Sequence, residues 1–487
     1  MTPQALGEGH AMTAARAKDQ VGRPTREGDL TLELRGMVPI PEDGRYGSRY
    51  RIFTVWFAPN LVPAAFFVGV IAGASFIGLS FAWTIVAIVL GNLIGAILPA
   101  VLSVMGPRTG MAQLPLSRLA FGKSVVVPGA INWLNQIAWD GVNGLFGAEA
   151  AAILFHIPFW IGLVIVIAAQ GVVATLGYEV IHTFEKWMSI VLFVIFAILT
   201  VKVASIGSIS LHASVHGAAA VGSFILLVTI IASFILAWSV YASDYTRYMR
   251  RDLPWWTVAW RVAAGLILSA GWLEVLGLVS ARLMTQSTTQ GIYTLMGKGA
   301  LGVIAMIGIV LGTVAVDALD DYTGSLSLQA TGINIPRPVA AVVVGAGGFL
   351  MAFYLHEGDL ATKVTNFLLF ISYWVTPFAG VVLVHWWRTR KEGFDLSNIM
   401  SLSRLPSGIM PLVALVVGFG ASVPFMDSTL YQGPIAMGPL HGGDIALYVG
   451  FVVAAGVYWV GSILGSPKGE PSGVLAPETV PVIKQHQ

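Results

Sequence analysis

The stretch IASFILAWSVYASDYTRY, residues 231–248, begins as an apolar membrane helix and stops behaving as one at Trp238. Ser239, Ser243, Asp244 and Thr246 then crowd into a segment still near membrane depth. Lipid offers no water to a loosened backbone, so polar or broken helix is tolerated there only inside protein or along a cavity. A Trp at such a break, with charges just after it, fits a binding site inside a transporter. The same residues also suit a helix end with an interfacial aromatic anchor.

Outward from this stretch the chain is apolar nearly throughout. Of its 487 residues, 56% are hydrophobic and 11% charged, with a mean hydropathy of +0.78. Soluble domains carry roughly 25% charged residues, so the composition is that of a polytopic membrane protein. Runs long enough to span about 30 Å of hydrocarbon fall at 53–79, 81–105, 126–154, 157–177, 186–206, 218–243, 255–281, 300–325, 338–355, 362–387, 408–426 and 443–464. They predict an all-α membrane protein of twelve transmembrane helices, numbered helix 1 to helix 12 in chain order. A polar tail, 1–48, precedes them with no apolar period, as expected of a disordered segment. It is too long and hydrophilic for a cleaved signal peptide. A second polar tail, 465–487, follows them. The net charge of +2 gives no argument for nucleic acid. The absence of Cys excludes disulfides, thiolate metal sites and Cys nucleophiles.

Lys and Arg set the orientation. With a cytoplasmic N-terminus, the inner side holds eight of them up to residue 51, then Arg108, Arg118, Lys123, Lys186, Arg247, Arg250, Arg251, Arg337, Arg388, Arg390, Lys391, Arg404, Lys468 and Lys484. The outer side holds only Lys202, Arg282, Lys298 and Lys363. This positive-inside pattern predicts a multi-pass protein of the plasma (inner) membrane with both termini cytoplasmic.

Helix 1 is interrupted as helix 6 is. Its apolar run contains Trp56-Phe57-Ala58-Pro59-Asn60-Leu61-Val62-Pro63, and two prolines disturb helical hydrogen bonding. Helices 1 and 6 occupy matching positions if helices 1–5 and 6–10 are repeats, and they start on opposite sides of the membrane. The expected units are therefore a first five-helix repeat, 49–216, an inverted second repeat, 217–390, and helices 11 and 12 in 391–464. Paired broken helices are the sequence pointer to a substrate site in transporters built from inverted repeats.

Three further segments offer chemistry. On helix 3, Trp139 and Asn143 are four apart and share a face, while Gly141, Gly144 and Gly147 form a strip that admits another helix. An indole beside an amide suits a flat aromatic ligand, and equally suits packing and an interhelical hydrogen bond. On helix 8, Asp317 lies well inside, with Asp320 and Asp321 nearer the inner end. Intramembrane carboxylates are costly and usually face a cavity, a counter-ion or a proton path; Asp140, Glu149 and Glu274 are further cases, the last two read as structural. The loop 106–123, rich in Gly and Pro, fits a compact turn and a short helix that supports a gate, with Arg108 and Arg118 placed to meet acids or helix C-termini. No metalloprotease, serine-hydrolase, phosphate-loop or paired CxxC pattern is present. Asp317-x-x-Asp320-Asp321 is similar to the metal-diphosphate sites of membrane prenyltransferases, but the second acidic motif they need is missing.

GPRTGMAQLPLSRLAFG at 106–122, AWSVYASDYTRY at 237–248, GYEVIHTFEKW at 177–187, DDYTGSLSLQ at 320–329 and PFAGVVLVHWW at 377–387 together resemble the nucleobase:cation symporter family of purine–cytosine, allantoin and hydantoin permeases, over about residues 50–390. The resemblance implies a leucine-transporter-like five-plus-five inverted repeat with discontinuous helices 1 and 6. It implies a planar substrate held between Trp139 and Trp238 and read by Asn143; Asn60 and Asp317 complete the expected substrate contacts. It also implies a cation site made of carbonyls near Ala58 and Leu61 with the hydroxyl of Thr313. Gly312 stands where relatives often carry a second hydroxyl, which tilts the expectation from sodium toward protons, with Asp317, one turn from Thr313, as the titratable partner. At the end of helix 10, His385 precedes Trp386 where many members have an acid. The expected function is symport of a nucleobase such as cytosine or a purine, driven by a proton or sodium gradient. The alternatives are a permease for allantoin, hydantoin or another planar heterocycle and, remotely, a membrane-embedded prenyltransferase. No cofactor and no catalytic residue is expected beyond the coupling ion, and the expected partners are the heterocycle and the lipid bilayer.

Overall fold

The computed structural model describes residues 37–464 apart from 46–47, 176–177, 207–211, 285–286, 334–336, 392–395 and 397. Nearly all of the expected N-terminal tail, all of 465–487, and the first part of the motif at 177–187 lie outside the described residues. Among the described residues the chain is helical, with one isolated bridge between Asp427 and Gln432 and no strand.

Each of the twelve expected stretches holds a helix. Helix 1 is Arg49–Phe57 and Pro63–Ala72, helix 2 Phe81–Leu102, helix 3 Val126–Phe155 and helix 4 Phe159–Thr175. Helix 5 is Tyr178–Ile206, helix 6 Gly217–Leu236 continued by shorter pieces, helix 7 Trp255–Ser280 and helix 8 Ala300–Ala330. Helices 9 to 12 are Arg337–His356, Leu360–Thr389, Ile409–Ser422 and Ala446–Leu464. Among the described residues seven helices are singly long and apolar enough to cross a membrane, or nine if each of two bent pairs counts as one span. The two parts of helix 1 meet at 64°, whereas helices 3 and 4 meet at 117°. The second angle sends the chain back along its own path, so helices 3 and 4 are better read as two crossings.

The packing has a repeating pattern. Helix 1 lies on helix 7 as helix 6 lies on helix 2; helix 3 lies on helix 9 as helix 8 lies on helix 4. Helix pairs 2–7, 3–8 and 4–9 meet face to face. Exchanging each helix with the one five places on leaves this set unchanged, which is the pattern a five-plus-five repeat produces. Helices 10, 11 and 12 pack together at the side. Glycine allows the closest of these approaches. A Cβ on Gly69 of helix 1 would stand 1.9 Å from the Glu274 carbonyl oxygen, and one on Gly277 of helix 7 would stand 1.9 Å from that of Phe66.

Helix 8 runs five residues beyond its expected end at 325, to Ala330. No breaker precedes Gly332, whose φ is +88°. Its final carbonyls are satisfied by Arg118, which is 1% exposed and donates to Gln329 and Ala330 as well as to Ile399 and Met400. The loop 106–123 forms two short helices, Met105–Thr109 and Gln113–Phe121, each ended by a glycine at positive φ, Gly110 and Gly122. Asp320 and Asp321 therefore sit in mid-helix, and the loop holds the end of their helix in place.

Candidate functional site

The breaks in helices 1 and 6 face each other. In helix 1, a short 3-10 turn, Ala58–Asn60, gives way to Val62 in extended conformation before Pro63 restarts the helix. In helix 6 the α-helix stops at Leu236 and a 3-10 segment, Ala237–Tyr241, follows; Tyr241 leaves helical geometry at φ −135°, ψ 21°. One side chain ties both breaks together. The Asn60 amide donates to the Trp56 carbonyl oxygen at 3.0 Å and accepts from the Trp238 indole N–H at 3.1 Å. The first bond ties the side chain to the helix before the break, and the second fixes the Trp238 ring. Trp56 and Tyr245 pack edge-on against that ring, at 5.6 and 5.9 Å between centroids.

Beside this junction lies a small cavity of about 30 Å³ lined by Pro59, Asn60, Val62, Ala64, Trp139, Asn143, Phe234, Trp238, Tyr241, Val316 and Asp320. It gathers residues of helices 1, 3, 6 and 8. Four residues singled out from the sequence, Trp139, Asn143, Trp238 and Asn60, border it together. Trp139 is held edge-on between Phe234 of helix 6 and Phe367 of helix 10, at 5.7 and 5.1 Å. The Asn143 amide donates to Asp320 Oδ2 at 3.4 Å, a long bond that leaves both groups able to turn toward a ligand. Opened enough to admit a flat molecule, the cavity would present two indoles, a carboxyl and an amide.

The remaining expected residues lie elsewhere. Asp317 is fully buried but is not among the lining residues; its Oδ2 faces the helix 3 backbone, 3.9 Å from where a Cβ on Gly144 would be. Thr313 packs on helix 3 at Gly147. The Ala58 carbonyl oxygen accepts the Leu61 N–H at 3.0 Å, and among the described residues no hydrogen bond joins Thr313 to Ala58 or Leu61. Glu149 lies 3.9 Å from His356, and Glu274 accepts from Asn92 of helix 2, so both serve helix packing. Asp320 and Tyr241 are the lining polar groups that the sequence reading did not select. Asp320 is four residues from Val316 and shares its face, whereas Asp317 is rotated away from it; that Val316 lines the cavity is seen only in the fold.

Outside the spanning helices, the Arg251 guanidinium bonds Glu42 at 2.8 Å and holds its carboxyl below the usual range. Burial pushes Arg45 down; that residue donates to the Ile40 and Pro107 carbonyls. These contacts dock residues 40–45 onto the loop after helix 2 and the loop between helices 6 and 7.

The family model described as a permease for cytosine/purines, uracil, thiamine and allantoin matches residues 39–450. The putative purine-cytosine permease YxlA of Bacillus subtilis is 26% identical over 443 residues, covering 88% of this chain and 96% of that one. The purine-cytosine permease fcyB of Emericella nidulans is 26% identical over 454 residues, covering 88% of each. Among solved structures, Mhp1, described as a nucleobase-cation-symport-1 family transporter and seen closed with bromovinylhydantoin bound, superposes with a TM-score of 0.70 at 17% identity. That match covers 89% of this chain and 96% of Mhp1, and the inward-facing form of Mhp1 gives 0.71. At that identity the likeness is one of fold.

Proposed function

Since the chain belongs to the family of permeases for cytosine/purines, uracil, thiamine and allantoin, and is thus a multi-pass membrane transporter rather than an enzyme, we propose that it imports a nucleobase by symport. The observation that supports this most directly is the cavity at the two helix breaks, where Trp139 and Trp238 stand beside the Asn143–Asp320 pair. Indoles offer stacking surface to any base, worth roughly 1–3 kcal/mol each. The polar pair supplies the selection. A carboxylate accepts hydrogen bonds from an exocyclic amine such as that of cytosine, and an amide can donate and accept along the same edge. An amino-bearing base such as cytosine or adenine meets that pair better than uracil does. Allantoin and hydantoin, rich in N–H donors, remain the second reading, supported by the same carboxyl.

Coupling to a proton or sodium gradient, a plasma-membrane location and cytoplasmic termini complete the proposal. The exposed cations Arg108, Arg251, Arg390 and Lys391 gather around one cavity at the end of the bundle read as cytoplasmic, in keeping with that orientation. The test is uptake of radiolabelled cytosine, adenine, uracil and allantoin into proteoliposomes holding the purified chain, under separate pH and sodium gradients. Concentrative uptake of an amino-bearing base under either gradient is expected. Uptake of none of the four, or equilibration without accumulation, would overturn the reading.

A further inference from the structure

Behind the cavity, between helices 3, 4, 8 and 9, lies a second polar region whose residues are not among those lining the cavity. Asp317 is fully buried; neither of its carboxyl oxygens has a hydrogen-bond partner of good geometry among the described residues, and the Asn143 amide of helix 3 lies near it. Both oxygens of Asp321, 4% exposed, one turn further along helix 8, likewise have no such partner. Asp140 of helix 3 lies within electrostatic reach of both. One of its oxygens accepts from the Gln170 amide of helix 4 at 2.5 Å; the other has no partner and occupies space left by Gly348 of helix 9, where a Cβ would come within 2.2 Å of it. The Gln170 carbonyl oxygen, also buried, is unpartnered too. Three carboxyls and an amide thus converge with six of their oxygens unbonded. Ionised carboxylates in such a place would be strongly disfavoured without a positive charge or a proton.

We propose that the proton driving transport is carried by this carboxyl cluster, Asp140, Asp317 and Asp321, at a site separate from the one that binds the base. This rests on the transport reading above and names the coupling group within it. Among the described residues no ion pair to Asp140, Asp317 or Asp321 is formed. Helix 4 contributes Gln170 and helix 5 contributes Glu185, which faces Asp320. Helix 6 brings Tyr241 and Tyr245 toward Asp320, while Asp244 accepts the Gln113 N–H and Arg247 donates to the Tyr322 and Tyr248 hydroxyls. The described part of helix 9 brings glycine. No group of three acids or histidines among the described residues is arranged to hold a metal ion, and a proton is the charge that buried, unbonded carboxyl oxygens take up directly.

The step is an O–H bond formed on one carboxylate from the outer side and broken toward the inner side; nothing is oxidised or reduced. Asn143 and Asp320 link the cluster to the base, because Asp320 sits between the cavity and its two helix 8 neighbours. A base that draws Asp320 toward itself relieves repulsion on the cluster and alters its hold on the proton. By reciprocity the proton changes base affinity by the same factor. Toward the basic end of the bundle, Gln136, Asn132 and Ser327 continue the polar line, bonded in series at 3.3 and 2.8 Å.

The experiment uses the full chain with radiolabelled cytosine and adenine as probes, measuring base binding across pH, and uptake with a trapped pH dye in proteoliposomes. The parent is expected to show a pH-dependent affinity, with a change on the order of tenfold between acidic and alkaline conditions, and to acidify the lumen as base enters. Asp317→Asn should still bind the base but lose both the pH dependence of affinity and the accumulation under a pH gradient; Asp321→Asn should weaken both. Asp317→Glu, which restores a carboxyl, should recover accumulation and guards against a fold defect. Asp317→Asn that accumulates base and acidifies the lumen like the parent would overturn the inference, as would a parent driven by sodium and indifferent to pH. A parent that binds neither base would overturn the transport reading itself, and the inference with it.

Discussion

At the scale of single residues, the site divides into surfaces that stack and groups that select. Trp139 and Trp238 are placed by different means: the first by Phe234 and Phe367, the second by a hydrogen bond to Asn60. Replacing either with Ala should weaken base binding by about 1–3 kcal/mol, read by titration of labelled base; Phe at the same position should retain part of the loss. Unchanged affinity in both variants would reduce these rings to packing. Asn143 and Asp320 should behave differently from the indoles. Asn143→Ala or Asp320→Asn leaves a polar edge of the base unmatched, at roughly 1–3 kcal/mol, and should reorder the preference among cytosine, adenine, uracil and allantoin. A uniform loss across all four would argue against edge reading. Trp139, Asn143 and Trp238 were legible because four-residue spacing on helix 3 and a polar break on helix 6 can be seen in sequence. Asp320 was not, because three acids lie within five residues and only the rotation of helix 8 against helix 3 decides which one meets the cavity.

At the scale of elements, the breaks could be read from proline and from polarity, whereas helix ends could not. The end of helix 8 depends on a distant arginine, and nothing near residue 325 announces that the helix continues. The start of helix 10 is a local matter and makes a clean test. Asp359 accepts from the Ala361 and Thr362 N–H groups at 3.1 and 3.3 Å and from the Thr362 hydroxyl at 2.5 Å. The Thr362 hydroxyl is the main reason its carboxyl is held below the usual range. A carboxyl lowered in the folded state stabilises it fully above its unfolded value, about 4, and that contribution is lost as pH falls through the lowered folded value. Asp359→Ala should therefore cost about 1 kcal/mol at neutral pH, the usual value of an N-cap. The gap between variant and parent should close in strong acid. Thermal unfolding in detergent across pH reads this, and a gap constant down to the lowest pH would show that the side chain acts by something other than its charge.

At the scale of the whole molecule, composition and hydropathy were enough to indicate a polytopic helical bundle, and two matched breaks suggested an internal repeat with which the helix packing is consistent. What they could not show is how parts remote in sequence are fastened. Arg118 is the clearest case. From sequence it is one cation among several in a Gly/Pro-rich loop; in the fold its guanidinium meets four carbonyl oxygens, two at the end of helix 8 and two in the segment before helix 11. It thereby joins the loop after helix 2, the helix that carries Asp317, Asp320 and Asp321, and residues 399–400. The charge suits helix C-terminal carbonyls, which bear partial negative charge. Arg118→Met keeps much of the side-chain volume and removes every donor. Each carbonyl left buried without a partner costs roughly 1–3 kcal/mol, although relaxation and water entry will recover part of the sum. The variant should melt well below the parent and yield less folded protein, while the folded fraction binds the base with parental affinity, because Arg118 does not line the cavity. Parental melting would mean that other contacts hold helix 8 in place. Parental melting with weakened base binding would instead make Arg118 part of the binding machinery, acting on the cavity through the position of helix 8.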